Sequence, residues 1–228
     1  MNATRRIAVI TGVIFIVATV TDLLAAALTP ALTGTDYLAR FSSSMNQVAG
    51  AALLYLIAAF ASAGIAISLY PLLKECNVGL ALASVVFRTL EAAFYMVGIV
   101  CLLSLLTLGQ QFTAAGAADH VSLQAIGDVL VSVKGHASLL AVFAFCLGAF
   151  IYYSLFFQSW LIPRWLSAFG IVAIILMMVA GVLALFSGNL ITSYIPLAAP
   201  IALQEMVLAV WLIVKGFDLS AIAPKDVK

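Results

Sequence analysis

Charge is what this sequence has least of. Asp, Glu, Lys and Arg make up 8% of it, where a soluble domain carries about 25%. Hydrophobic residues account for 65% of the 228 positions, and the mean hydropathy is +1.23. A soluble fold cannot hide that much apolar surface, so the composition reads as an integral membrane protein. A net charge of +1, with no basic cluster, argues against a nucleic-acid partner. Cysteine is scarce as well. Cys76, Cys101 and Cys146 have neither paired nor metal-like spacing, so neither a disulfide nor a thiolate metal site is expected. Metal-ligand motifs, Gly-rich phosphate loops and nucleophile elbows are missing, and no cofactor is expected.

What the chain has instead is long apolar runs, each near or beyond the ~20 residues that a bilayer core requires. Six spans are expected, at about 7–28, 47–72, 78–108, 136–157, 164–186 and 200–216. The fold class is therefore all-α: a six-transmembrane-helix bundle forming a single unit over 1–217, with a cytoplasmic tail at 218–228. Arg5-Arg6 before Ile7 to Val20 has the charge and apolar parts of a signal peptide. The run continues to Leu28, though, and reads as a retained first helix. Thr29-Pro30 stops it, and Ala31 to Asn46 is a polar connection. Ala58, Ala59, Ala61, Ser62, Ala63 and Gly64 make the second span small-faced, which lets helix backbones approach closely. Val121, Ile126, Val129, Leu130 and Val133 recur at helical spacing among polar residues. They predict a separate interfacial amphipathic helix between spans three and four.

Positive charges set the orientation. With the amino terminus inside, Arg5, Arg6, Lys74, Arg164, Lys215, Lys225 and Lys228 are cytoplasmic, and only Arg40 and Lys134 lie outside. That is the bias the positive-inside rule asks for, and both termini then face the cytoplasm. Tyr70, Trp160, Trp165 and Trp211 fall near the same interface as an aromatic belt.

Against this apolar background a few residues stand out. Ser84, Arg88, Glu91 and Tyr95 lie on one face of the third span. A charge at the centre of a span costs about 2.5–3.5 kcal/mol or more, so that face must look at other helices. Counting along the spans puts Asp22, Glu91, Glu205 and His136 in the outer half of the bundle, above Arg88. If they converge, one arginine cannot neutralise three carboxylates. Such a site would hold a proton, bind a cation or admit water. Alternatively, Arg88 and Glu91 simply pair across one turn and staple the bundle. Lys215, beside Gly216-Phe217-Asp218, reads as a lysine snorkelling to the inner surface rather than a Schiff-base lysine.

Several short segments carry a resemblance: Leu69-Tyr70-Pro71-Leu72-Leu73-Lys74, Arg88-Thr89-Leu90-Glu91, and Leu161-Ile162-Pro163-Arg164-Trp165-Leu166-Ser167 with Gly170. Glu205 and Trp211-Leu212-Ile213-Val214-Lys215-Gly216-Phe217 complete the set. In this order they resemble bacterial integral membrane proteins of the domain of unknown function 4386 family, over about Arg5 to Phe217. The resemblance implies a multi-pass protein of the bacterial cytoplasmic (inner) membrane and supplies no activity.

The expectation from the residues is a protein embedded in the lipid bilayer. It binds or moves a small polar or amphipathic ligand, or a proton, at Arg88, Glu91, Glu205, Asp22, Tyr95 and His136. Two alternatives stand beside it. One is a membrane-embedded enzyme acting on a lipid, with Glu91 or Glu205 as general base. The other is a structural or sensory subunit whose buried polar pair fixes helix register.

Overall fold

A computed structural model describes residues 3–116 and 119–218. The expected tail beyond 218 lies outside the described residues. Seven α-helices and a 3-10 turn make up the fold, with no strand among the described residues. They are α1 (Ala3–Leu28), α2 (Tyr37–Ser43), α3 (Met45–Leu73), α4 (Val78–Ala114), α5 (His120–Ser159), α6 (Arg164–Ser187) and α7 (Ile195–Val214), with the 3-10 turn at Ile191–Tyr194. Six of these segments are long and apolar enough to cross a membrane.

Local chemistry explains where the helices start and stop. Asn77 caps α4 by accepting from the Leu80 amide at 2.9 Å, satisfying one of the four free amides of that end. Gly188, at φ +70°, closes α6 in the left-handed conformation that glycine adopts without strain. Pro163 stands immediately before α6 and Pro196 in the first turn of α7, where a missing amide costs nothing. Pro71 falls within the last turn of α3, which runs on to Leu73.

Two elements differ from the sequence expectation. The stretch read as a separate interfacial helix is the first turns of α5, a single helix of 40 residues. Nothing between Leu130 and Ser138 stops a helix there. Gly135 alone costs about 1 kcal/mol against alanine, less than packing along α4 returns. The face that packs is also different. Leu123, Leu130 and Val131 join a small core, while Val121, Ile126, Val129 and Val133 point outward. In the connection expected to be only polar, the short α2 packs on α4. Tyr37, Leu38 and Phe41 drive this packing, and all three are buried.

Neighbours in sequence pack side by side, and α7 closes back onto α1, so the six long helices form a ring. At the end carrying the amino terminus the ring is filled. Phe15, Ile65, Leu69, Tyr152, Phe156, Leu208 and Leu212 are all buried there in one core. At the other end, α2 and the extensions of α4 and α5 form a second, smaller core with Val48, Leu102 and Leu105. Large apolar side chains are left exposed all round the outside, among them Leu23, Phe60, Val100, Leu147, Val172 and Leu203.

Candidate functional site

Between those two cores the ring encloses a cavity of about 390 Å³, within the usual range for small-molecule sites. Arg88 lies ten residues into α4, about 15 Å along its axis, and forms the floor. It is 2% exposed although it carries a full charge. Its Nη1 lies 2.8 Å from Glu91 Oε2, one turn further along the same helix. Its Nε donates to the Ser62 carbonyl of α3 at 3.4 Å. Its guanidinium carbon stands 4.7 Å from the centre of the Phe145 ring of α5, close enough for a cation–π contact. Ser84, one turn toward the amino-terminal end, donates to the Gly148 carbonyl at 3.1 Å and ties α4 to α5. It does not line the cavity.

Further walls come from α1 and α7. Glu205 is 9% exposed. Its Oε2 accepts from Thr19 at 3.3 Å, whereas its Oε1 is buried with no hydrogen-bond partner. Toward the far end, Tyr95 donates to Asp22 Oδ1 at 2.9 Å, joining α4 to α1. Lys134 of α5 lines the same space, its Nζ 5.8 Å from the centre of the Tyr55 ring. Exposed Leu23, Ala26 and Thr192 belong to the lining, so the cavity opens between α1 and the start of α7, in the half away from the amino terminus. The remaining surface is largely apolar, with Phe94, Phe145, Met177 and Ile201.

Of the residues singled out in the sequence, Asp22, Arg88, Glu91, Tyr95 and Glu205 line this one cavity and His136 does not. His136 is exposed on α5, its Nδ1 3.5 Å from Ser132 Oγ. A helix that runs unbroken through Gly135 turns that position away from the ring's interior. Sequence reasoning overlooked Lys134, Thr19, Ser62 and Tyr55. Thr19 was findable, since it precedes Asp22 by one turn and shares its face. Lys134 was hidden by the expected helix break beside it. Ser62 contributes a backbone carbonyl, for which side-chain chemistry gives no signal.

Just inside the floor, Tyr153 donates to Gln204 Oε1, and Gln204 Nε2 donates to the Leu166 carbonyl at 3.2 Å. These bonds satisfy polar groups packed among α5, α6 and α7. The site thus combines an ion-paired floor, one carboxylate oxygen without a partner and apolar walls. Such an arrangement can orient an amphipathic molecule or hold a counter-charge.

No curated protein and no solved structure matches the chain. A family model described as Domain of unknown function (DUF4386) matches residues 10–216. With nearly the whole helical ring matched, including all five of those cavity residues, the chain belongs to the DUF4386 family.

Proposed function

We propose that this is a multi-pass protein of the bacterial inner membrane whose cavity binds a small ligand or a proton from the non-cytoplasmic side. Membrane insertion is supported by the exposed apolar side chains around the ring, because a soluble monomer rarely leaves so large an apolar surface open. Arg5, Lys74, Arg164 and Lys215 are all at one end of the bundle, which supports a cytoplasmic position for the termini. Trp160 and Trp165, both more than half exposed at that end, suit the headgroup region. The helices α4 and α5 have 37 and 40 residues, about 55 and 60 Å long. They overshoot a 30 Å hydrocarbon core, so α2, which caps that end, and the apolar side chains of Val121, Ile126 and Val129 would lie at the outer surface.

The observation carrying the binding reading is the open space beside the charges. A register-fixing staple accounts for the Arg88–Glu91 pair. It does not account for a cavity of about 390 Å³ or for a buried carboxylate oxygen left without a partner.

Thiol access tests this reading. Ser138 lines the cavity and is half-buried. Cys76 is the one exposed cysteine among the described residues. In a Cys76→Ser background, Ser138→Cys in intact cells should react with a membrane-impermeant methanethiosulfonate, and Leu203→Cys on the lipid-facing side should not. If Asn189→Cys in the α6–α7 connection reacts while Ser138→Cys stays inert, the cavity is closed and the staple reading stands instead. Reaction at Ser138→Cys only in inverted vesicles would reverse the orientation and sink the outer-access claim.

A further inference from the structure

The cavity's charge arithmetic has a remainder. Asp22, Glu91 and Glu205 bring three carboxylates to the lining, while Arg88 and Lys134 bring two cations; three minus two leaves one negative charge. Position identifies which acid carries it. Glu91 is neutralised by Arg88 at 2.8 Å. Asp22 is held by Tyr95 and lies within the electrostatic reach of Lys134. Glu205 has the Thr19 hydroxyl as its one hydrogen-bond partner, its second oxygen has none, and Arg88, which is paired with Glu91, reaches it only through space. Among the described residues no cation lies within ion-pair distance of Glu205, and its side chain is nine-tenths buried. An uncompensated buried charge is among the most expensive features a protein can carry, so Glu205 takes either a proton or a cationic group; a proton needs no space, and about 390 Å³ of open cavity adjoins the carboxylate.

The walls narrow the choice. A hydrated inorganic cation needs several oxygen ligands around it, and no cluster of three or more acidic, histidine or cysteine residues able to hold a metal is found among the described residues. The rest of the cavity lining is aromatic and aliphatic instead, with Phe94, Phe145, Met177 and Ile201. Aromatic faces attract organic ammonium groups, and apolar walls favour the hydrocarbon part of the same molecule.

We infer that the ligand class is a small amphipathic organic monocation, with its ammonium group on Glu205 and its apolar part against the apolar lining to which Phe94 and Phe145 belong. Arg88 does not repel it, because Glu91 already balances that charge; the pair instead forms a neutral, rigid floor. Lys134 and Asp22, not in direct contact, lie within electrostatic reach of each other elsewhere in the lining and offset one another's charge there. This inference rests on the cavity reading above and adds the sign and shape of the ligand.

Three matched probes, 2-phenylethylammonium, 2-phenylethanol and phenylacetate, separate the charge from the ring. Detergent-purified full-length protein is titrated with each, by calorimetry and by protection of Ser138→Cys from modification. The ammonium should bind at least ten-fold more tightly than the alcohol, with no binding of phenylacetate. Glu205→Gln should remove the preference for ammonium over alcohol, while Glu205→Asp keeps part of it. The order of the three probes on the unaltered protein needs no variant, so the test survives if Glu205→Gln fails to fold. Equal binding of alcohol and ammonium, or tighter binding of phenylacetate, would overturn the inference. So would protection by sodium ions alone, absent with potassium ions at equal ionic strength. If Ser138→Cys is reached from outside yet no probe protects it, the cavity reading holds and the ammonium assignment falls.

Discussion

Gly148 lies against the stem of Arg88. A Cβ built there would stand 2.9 Å from Arg88 Cγ and 3.1 Å from Cδ, and 3.2 Å from the Phe87 Cβ. The atoms in the way belong to the middle of a side chain fixed at both ends, by the helix backbone and by the Glu91 and Ser62 contacts. They cannot swing aside as a free chain end would. A small residue on α5 is therefore the condition for a guanidinium on α4.

This relationship gives the first prediction. Exchanging glycine for alanine in a helix normally gains up to about 1 kcal/mol. Overpacking a tight interior contact costs about 1–3 kcal/mol, so the clash should win. Gly148→Ala is expected to lower the thermal unfolding midpoint in detergent, and Gly148→Val to lower it further. A raised midpoint would mean that Arg88 is free to move.

The ion pair itself sets a second expectation. With Arg88 2% exposed and the Glu91 side chain 7% exposed, removing one partner strands the other in a dry setting. Arg88→Met alone should cost about 3–5 kcal/mol. The double variant Arg88→Met/Glu91→Gln should recover much of that loss, because no charge is then left unpaired. A double-mutant cycle of unfolding midpoints measures the coupling. Simple additivity would show that the two groups do not depend on each other.

How much of this could be read from the chain alone follows from the range of the interactions. Arg88 and Glu91 are three residues apart on one helix, so their pairing is a local fact that spacing reveals. Hydropathy likewise gave six spans, because each needs only its own composition. The meeting of Asp22 with Tyr95, and of Glu205 with Thr19, depends on how α1, α4 and α7 rotate about their axes. A sequence of nearly uniform hydrophobicity does not specify that rotation. In water, a polar stripe opposite an apolar one fixes the face of a helix. Here apolar residues cover both faces, and only small residues and scattered polar ones mark the inside. The unbroken α5 escaped for a related reason. Its semi-polar first turns look like a boundary in hydropathy, yet they are stabilised by α2, which the sequence hides in a polar connection.

At the amino-terminal end, Arg5 holds the ring shut. Its Nη1 donates to the Leu212 carbonyl at 3.2 Å, and its Nη2 to those of Ile213 and Val214 at 2.5 and 3.3 Å. These are among the last carbonyls of α7, which have no partner within their own helix, and a cation there also suits the helix dipole. Gly12, two turns along the same face of α1, allows the close approach, since a Cβ there would meet the Ala209 carbonyl oxygen at 2.7 Å. Arg5→Ala should cost about 1–2 kcal/mol, less than for a fully buried charged bond because the site is partly solvated. Hydrogen exchange should quicken at the end of α7 and leave α3 unchanged. Equal acceleration everywhere would point to global destabilisation rather than a lost clamp.

At the opposite end, the cap hangs on Tyr37, whose hydroxyl donates to Asp128 Oδ1 at 2.8 Å. α2 can come this close because positions 109 and 127 are glycines. A Cβ on Gly109 would meet the Leu38 carbonyl oxygen at 2.5 Å, and one on Gly127 would meet the Tyr37 hydroxyl. Burial pushes the Tyr37 phenol above its ordinary range, and the Asp128 carboxylate beside it pushes the same way. The protonated phenol is the form that bonds. Its contribution is therefore full below the unfolded value of about 10 and is lost as pH rises beyond that. Across neutral and mildly alkaline pH the cap should hold its amide protection in α2, then lose it progressively at higher pH. Tyr37→Phe should cost about 1 kcal/mol or somewhat more, since it leaves Asp128 without that donor. It should also erase the part of the alkaline response that belongs to α2. If Tyr37→Phe loses α2 protection over the same alkaline range as the unaltered protein, another group controls the cap, and the Tyr37–Asp128 bond is incidental to it.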